Sequence, residues 1–332
     1  MKTLSVICIA SALLFCACGG KSTAASASAD PKATKADSVT ACIFDADSAY
    51  SFIEKQLAFG PRIPGTAGHK AGQQWIFSSL KQFGADTVIV QTAPIIDTHG
   101  RRLTISNILA RFNGKASATD RILLAAHYDT RSHATSETDP ERAAQPVPGA
   151  NDGGSGVAVM LELARQMGLS RPERAVDLLF VDAEDDGDDS DPRSWCLGSQ
   201  HWSQNMPYTS TAADPRPRFG IVLDMVGGTG AQFHREYYSD AQAPEIVDLV
   251  WRAARVAGHG SRFIDKVGGG IIDDHLFINE GGIPCIDIIE NNNPATEGFP
   301  PGWHTLDDNM SGIDRATLRA VGETISTVIR QK

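Results

Sequence analysis

Basic residues are scarce in this chain: its 332 residues include 30 lysines and arginines against 40 aspartates and glutamates, a formal net charge of -10. Proteins that bind nucleic acid need a basic surface, so the composition argues against that class of function. The apolar run near the N-terminus, Leu4 to Phe15, is too short for a permanent membrane helix, which takes roughly 20 residues.

Motifs of several common enzyme classes are missing. No Walker or dinucleotide-binding fingerprint accompanies the glycines at 227–228 or 268–270, so nucleotide binding is not expected. There is no H-E-x-x-H helix and no G-x-S-x-G turn, which argues against thermolysin-type proteolysis and serine hydrolysis. The acidic segment that starts at Asp182 is not an EF-hand loop, because its twelfth position is Arg193 rather than glutamate. We expect residues 186–191 of it to form a solvated loop.

The N-terminal segment has the pattern of an export signal. Residues 1–17 predict a signal peptide, and Ala17 followed by Cys18 resembles a bacterial lipobox, which implies lipidation of Cys18. The expected location is periplasmic, with a lipid as the only attachment to a membrane; ordinary secretion with cleavage nearby is the alternative. Residues 18–43 are too poor in large apolar side chains to fold and predict a flexible tether. Residues 44–332 predict a single catalytic domain.

Cysteines are few. The chain has six, and three of them, Cys42, Cys196 and Cys285, would remain unmodified in the mature chain after cleavage and lipidation of Cys18. At most one disulfide could then form within the chain. In a domain of this size we expect no structural dependence on it.

Apolar runs alternate with helical patterns over most of the chain. Predicted strands cover 121–126, 176–181, 219–225 and 283–289, and predicted helices cover 155–168, 198–206, 244–257 and 314–330. Two helices at 50–59 and 71–83 and a hairpin at 88–111 are expected before them. This alternation predicts a three-layer α/β/α sandwich with a mixed, largely parallel central sheet.

Polar side chains stand at the ends of the predicted strands. His127 and Asp129 follow the first, Glu184 and Asp185 the second, and Asp224 lies near the end of the third; Tyr128, Asp182 and Glu290 occupy similar places. In open α/β sheets, ligands bind beyond the carboxyl ends of the strands. We therefore expect a site at this edge of the sheet.

A zinc site can be assembled from residues near this edge. Catalytic zinc takes three protein ligands, His nitrogen or carboxylate oxygen, and keeps one position open. Asp152, Asp185 and His304 supply that set. Taken alone, Asp152 also reads as a cap of the glycine-rich helix start at 151–156, and a lone histidine is more often structural than a ligand.

Six short motifs together resemble those of the zinc aminopeptidase clan. In chain order they are Pro61–Thr66, His127–Asp129, Asp152 with its glycines, Asp182–Asp185, Leu223–Asp224, and His304–Thr305 with Asp307. The resemblance spans roughly residues 45 to 330. Six motifs in one order are much more specific than any one of them.

Three further features are similar to the glutaminyl cyclases of that clan, and the chain resembles a bacterial cyclase related to the animal type. They are the segment Gly270–His275, the segment Phe299–His304, and Trp195 shortly before Gly198–Ser199. One departure is that Asp185 stands where the animal cyclases carry a second glutamate, so the zinc ligand is one methylene shorter.

The resemblance implies an enzyme that converts the N-terminal glutamine of peptides and proteins to pyroglutamate with release of ammonia, using one zinc ion per chain. By the same resemblance Glu184 carries the proton, and Asp224 and Asp273 share a proton and brace that transfer. Trp195, Ile272, Phe299 and Trp303 would line the substrate pocket. No obligate protein partner is implied.

Two other functions are compatible with the residues. A two-zinc aminopeptidase of the same fold would fill a second metal position from His127, Asp152 and Asp224 and activate water. A catalytically silent binding module would require a lost ligand or base, and the sequence shows no such loss.

Overall fold

The computed structural model describes residues 44–114, 117–209, 211 and 214–331. The signal peptide, Cys18, the tether and Cys42 lie outside the described residues, so those predictions are not tested by the fold. From residue 44 onward the described chain forms one compact unit. Within it, no helix has the length and apolarity that crossing a bilayer requires.

The described residues of this unit form eight strands, six in a main sheet and two in a separate pair. The strands are β1 Thr87–Ile96, β2 Arg102–Phe112, β3 Ser117–His127, β4 Arg174–Val181, β5 Gly220–Asp224, β6 Phe233–Arg235, β7 Phe263–Val267 and β8 Cys285–Ile289. The main sheet has the order β1-β2-β4-β3-β5-β8, and β6 pairs with β7 separately. β2 pairs antiparallel with β1 and β4, whereas β4, β3, β5 and β8 run parallel. The predicted mixed, largely parallel sheet is confirmed.

Helices cover both faces of the main sheet. They are α1 Ala46–Leu57, α2 Ala67–Gln82, α3 Pro140–Ala143, α4 Gly154–Leu169, α5 Leu197–Gln204, α6 Tyr237–Gln242, α7 Pro244–Val256, α8 Asp274–Glu280 and α9 Arg315–Arg330. α1, α2, α4, α7 and α9 pack in one layer, and α5 and α8 contact each other on the opposite side. The three-layer sandwich expected from the sequence is therefore confirmed.

The central strand β3 shows why the parallel strands read as continuous apolar runs. Ile122 and Leu124 enter the larger apolar core beneath α4, while Leu123 and Ala125 enter the smaller core beneath α5 and α8. All four side chains are fully buried. A strand covered on both faces needs apolar residues at every position, so the alternation typical of a half-exposed strand is absent.

Element boundaries differ from the predictions where side chains cap helices. α1 begins at Ala46, four residues before the predicted start, because the Asp45 carboxylate accepts hydrogen bonds from two backbone N–H groups of its first turn. α2 also begins four residues early, at Ala67, with Thr66 as its cap. The short elements β6, β7, α3, α6 and α8 were not predicted, since they have too few residues to show a period.

Candidate active site

The carboxyl ends of the parallel strands bring the predicted residues together. His127 ends β3 and Asp224 ends β5, while Glu184 and Asp185 follow β4 closely. Asp152 lies in the turn before α4, next to Gly153, whose φ is +73°. A Cβ on Gly153 would lie 2.7 Å from the carbonyl oxygen of Asp129 and 2.9 Å from the His127 ring. Only glycine therefore allows α4 to start this close to the end of β3.

Asp152, Asp185 and His304 form a buried triad with the spacing of a metal site. The Nε2 atom of His304 lies 3.0 Å from Asp185 Oδ1 and 3.7 Å from Asp152 Oδ2. Ligands of a tetrahedral zinc ion with bonds of 2.0–2.1 Å stand about 3.3 Å apart, and the two distances bracket that value. Asp185 Oδ2 has no hydrogen-bond partner among the described residues. The three side chains fit a zinc ion.

Two other aspartates hold the backbone of these ligands in place. Asp308 accepts hydrogen bonds from the N–H groups of residues 151 and 152, at 2.7 and 3.1 Å. Asp129 accepts from the N–H groups of Glu184 and Asp185, at 3.1 and 3.2 Å. Arg131 donates to the carbonyl oxygen of Asp185 at 2.7 Å. Hydrogen bonds of this kind fix the direction in which the metal-ligand side chains point.

A second triad shares Asp152 with the first. His127 Nε2 lies 3.1 Å from Asp152 Oδ1 and 3.2 Å from Asp224 Oδ1. All three side chains are buried and could also hold a metal ion. Burial alone would lower the pKa of His127, but its hydrogen bonds with Asp129, Asp152 and Asp224 raise that pKa well above the usual value. The geometry therefore admits either a second metal ion or a histidinium between the carboxylates.

Glu184 lies in surroundings that favour its protonated form. Burial raises its pKa well above the usual range, and the negative charges of Asp185 and Asp273 act in the same direction, against the opposing charge of His127. Its Oε1 atom accepts a hydrogen bond from the Cys196 thiol at 3.3 Å. A carboxyl group with a raised pKa can both take up and return a proton near neutral pH.

Asp224 and Asp273 are two further buried carboxylates of the site. Burial, the largest cause, raises the pKa of Asp224 to about 7. Asp273 is buried and caps the start of α8. One of its carboxylate oxygens lies within 4.8 Å of a Glu184 carboxylate oxygen and of the Cys196 sulfur. Behind it, Asp287 and His275 extend the same cluster of buried polar groups. Buried acidic groups are thus concentrated around Glu184.

A single cavity of about 260 Å³ connects these groups. All ten residues predicted for catalysis, metal binding and substrate binding line it: Asp152, Glu184, Asp185, Trp195, Asp224, Ile272, Asp273, Phe299, Trp303 and His304. The structure therefore brings together every one of them that it describes. The chemical roles assigned to them remain predictions.

Aromatic rings form one wall of the cavity. Trp303 stacks on His304 with ring centroids 3.7 Å apart, and Phe299 stacks on Trp303 at 4.3 Å. Trp195 lies parallel to His304 at 6.3 Å, and the guanidinium of Arg131 lies 5.0 Å from the Trp195 ring centroid. The histidine of the metal triad is thus enclosed by flat apolar surfaces that exclude water.

Several polar residues at this sheet edge serve the fold instead. Asp182 contacts His69 at 2.7 Å and accepts from the N–H of Ser106 at 2.7 Å, and it does not line the cavity. The solvated-loop prediction is wrong for Asp186, which is half-buried and accepts two hydrogen bonds from Ser132, at 2.7 and 3.1 Å. The prediction failed because a run of acids does not reveal which of them meets a donor.

Sequence reasoning also missed residues that support the site. Cys196, Arg131 and Asp308 gave no signal because each acts on backbone or side-chain atoms of the site rather than belonging to a motif. Cys196 and Cys285 are both buried free thiols. A disulfide between these two is therefore excluded, while Cys42 lies outside the described residues.

The chain has recognisable relatives. The profile of peptidase family M28 matches residues 107–329. Glutaminyl-peptide cyclotransferase of Bos taurus is 27% identical over 293 residues, which cover 81% of this chain and 77% of the bovine protein.

Solved structures extend the comparison. The crystal structure of Bacteroides thetaiotaomicron glutaminyl cyclase bound to N-acetylhistamine matches with a TM-score of 0.82 and 45% identity, over 87% of this chain and 98% of that one. The crystal structure of a leucine aminopeptidase precursor from the same species matches with a TM-score of 0.82 and 43% identity, over 88% and 99%. The chain is thus similar over most of its length to proteins named for two different reactions.

Proposed function

The chain belongs to peptidase family M28, and we propose that within it the protein is a zinc-dependent glutaminyl cyclase. It would convert the N-terminal glutamine of peptides and proteins to pyroglutamate and release ammonia. The observation that carries this proposal is the cavity of about 260 Å³, in which the metal triad, the buried base and three aromatic rings meet. Its size suits one amino-acid side chain with its amine. Similarity to cyclases over most of the chain supports the same function.

The reaction asks little of the protein beyond orientation and proton transfer. The nucleophile and the carbonyl carbon belong to the same residue, so the entropic barrier to bringing two reactants together is largely absent. Asp152, Asp185 and His304 would hold the zinc ion. When bound there, zinc supplies Lewis-acid chemistry that polarises the γ-amide carbonyl of the substrate.

Glu184 would be the group that moves the proton. It would accept a proton from the α-amine as the amine nitrogen bonds to the γ-carbonyl carbon. It would then return that proton to the amide nitrogen as the carbon–nitrogen bond breaks and ammonia leaves. Asp273 and Asp224 would brace this transfer. Asp273 lies beside Glu184, and its charge helps to raise the pKa of that glutamate. Asp224 interacts in turn with the charge of Asp273.

The aromatic wall would orient the substrate. Trp195, Phe299 and Trp303 present flat apolar faces to the aliphatic part of a glutamine side chain, and Ile272 lies at the cavity edge with 38% of its surface exposed. By excluding water, these faces disfavour hydrolysis of the amide relative to attack by the tethered amine.

A two-metal aminopeptidase is the second candidate, and a specific observation favours it. The triad of His127, Asp152 and Asp224 has contacts of 3.1 and 3.2 Å, close to the spacing of a second zinc site. With metal in both triads, the same cavity could support activation of water.

The two candidates differ in products and in metal content. Purified protein should release ammonia from a Gln-peptide, leave a matched Leu-peptide intact, and contain about one zinc ion per chain by elemental analysis. Release of free leucine by protein that carries two metal ions would overturn the cyclase proposal in favour of the aminopeptidase.

We also propose that the protein is held in the periplasm by a lipid on Cys18. The support is the sequence of the N-terminal segment, in which Ala17 and Cys18 follow an apolar run. In a bacterial host the protein should sediment with membranes, and Cys18→Ser should move it to the soluble fraction. Equal membrane association of the variant would contradict the proposal.

A further inference from the structure

Cys196 occupies an unusual position immediately before α5. It is fully buried, and its φ of +56° lies in the left-handed region that non-glycine residues seldom adopt. Its N–H donates to the carbonyl oxygen of Glu184 at 3.0 Å, and the N–H of Leu197 donates to that of Ala183 at 2.9 Å. These two bonds join the start of α5 to the turn that carries Glu184.

The side chain of Cys196 continues this connection. Its thiol donates to Glu184 Oε1 at 3.3 Å, and within the described chain no other hydrogen bond reaches that carboxylate. The nearest ring nitrogen, His127 Nδ1, lies 3.8 Å from Oε2, beyond hydrogen-bond range. Burial holds the pKa of the thiol well above its usual value, so the sulfur keeps its proton and remains a donor.

We propose that Cys196 is a positioning residue that sets the direction of the Glu184 carboxylate. With Oε1 held by the thiol, Oε2 is left for proton exchange with the substrate. This inference rests on the proposed role of Glu184 as the base.

A thiol has properties that suit this task. It is a weaker hydrogen-bond donor than a hydroxyl group, so it orients the carboxylate without strongly stabilising its charged form. The left-handed backbone would accept glycine more readily. A cysteine in such a backbone conformation, with its sulfur in contact with Glu184, indicates a use for the side chain rather than for the backbone alone.

Three substitutions distinguish the effect of the Cys196 side chain from that of its backbone conformation. Cys196→Ala removes the donor, Cys196→Gly removes it while relieving the positive φ, and Cys196→Ser keeps a donor. Ala and Gly should lower kcat about tenfold, because Glu184 loses the hydrogen bond that orients its carboxyl group. KM and bound zinc should stay near wild type, and Ser should recover most of the lost kcat.

Cys285→Ala is the matched control. Cys285 is an equally buried free thiol, but it lies in the apolar core beneath α5 and α8 and does not line the cavity. Its loss should leave kcat unchanged, even if the melting temperature falls.

The proposal is overturned if Cys196→Ala and Cys196→Gly turn over like wild type, if Ser performs no better than Ala, or if kcat falls only together with zinc content. Failure of the cyclase proposal gives a different result: wild-type protein would release free leucine and no ammonia. The Cys196 variants would then be compared with wild type on the Leu-peptide, where the same base is needed. The same kcat ratios of variant to wild type would then test the positioning role of Cys196.

Discussion

Replacing Glu184, the proposed base, by glutamine should abolish turnover and stabilise the fold at the same time. Glutamine keeps the shape of the side chain but can neither accept the proton nor return it. Losing a general base and acid typically lowers kcat by about 10²- to 10⁴-fold, which corresponds to about 3 to 5 kcal/mol of transition-state stabilisation.

The stability gain follows from the surroundings of the carboxylate. Glu184 is buried beside Asp185, Asp273 and Asp274, all of which, together with burial, raise its pKa. A raised folded-state pKa in an acid means that ionisation at neutral pH works against folding. An uncharged amide removes that conflict, so the melting temperature of Glu184→Gln should rise. The rise should be larger after chelation, because bound zinc would already offset part of the repulsion in wild type.

Another buried glutamate provides the matched control. Glu162 on α4 is fully buried but accepts hydrogen bonds from Arg165 at 2.7 and 2.9 Å and from the N–H of Asp45 at 3.2 Å. Glu162→Gln should therefore lower stability, by about 1.5 to 3 kcal/mol for a lost charged hydrogen bond, and leave kcat unchanged.

Steady-state ammonia release and thermal denaturation measure the two effects on the same preparations. The reasoning is refuted if Glu184→Gln keeps more than about a tenth of wild-type kcat, since a general base contributes at least about 10²-fold. A melting temperature that falls in Glu184→Gln by as much as in Glu162→Gln would refute the argument from charge repulsion.

Four other substitutions have expected outcomes. Asp185→Asn should lose both zinc and activity, whereas His127→Ala should still bind about one zinc per chain by elemental analysis; a drop from two ions to one would favour the two-metal enzyme. Phe299→Ala should raise KM for a Gln-peptide about three- to tenfold through loss of aromatic packing, and an unchanged KM would remove this ring from the substrate pocket. Asp177→Asn should lower stability by about 3 to 5 kcal/mol in thermal denaturation, because it leaves the buried Arg121 without its charged partner; a loss below about 1 kcal/mol would contradict this.

The sheet and the layers were predictable because their signals are long or repeated. β4 and β8 are wholly buried runs, and the longer amphipathic helices α7 and α9 show a clear period. The metal triad was predictable for a different reason. Asp185 closely follows a buried strand of the parallel sheet, whereas Asp152 and His304 were chosen because they complete a set of three zinc ligands with it.

Residues that act on backbone atoms could not be predicted in the same way. Asp308 binds two N–H groups of the turn before α4, and Asp129 binds two N–H groups of the turn after β4. Whether Asp308 and Asp129 can form these hydrogen bonds depends on how close two loops lie in space, which no local sequence pattern shows. Cys196 is the extreme case, since a lone cysteine in the sequence carries no sign that its sulfur will reach Glu184.

Backbone strain and buried charge occur at the same edge of the sheet. In the described chain the non-glycine residues with positive φ are Ala183, Cys196, Met225, Glu297 and His304. All but Glu297 belong to the site or adjoin Glu184, Asp185 and Asp224. Strained residues of this kind cost about 1 to 3 kcal/mol each and persist where the surrounding structure leaves no alternative. Here the rigid strand ends hold the strained turns in place, so that the carboxylates of the site lie close together despite their repulsion. The site should then be the part of the fold that gains most from a bound cation, which is why the stability effect of Glu184→Gln is expected to depend on zinc.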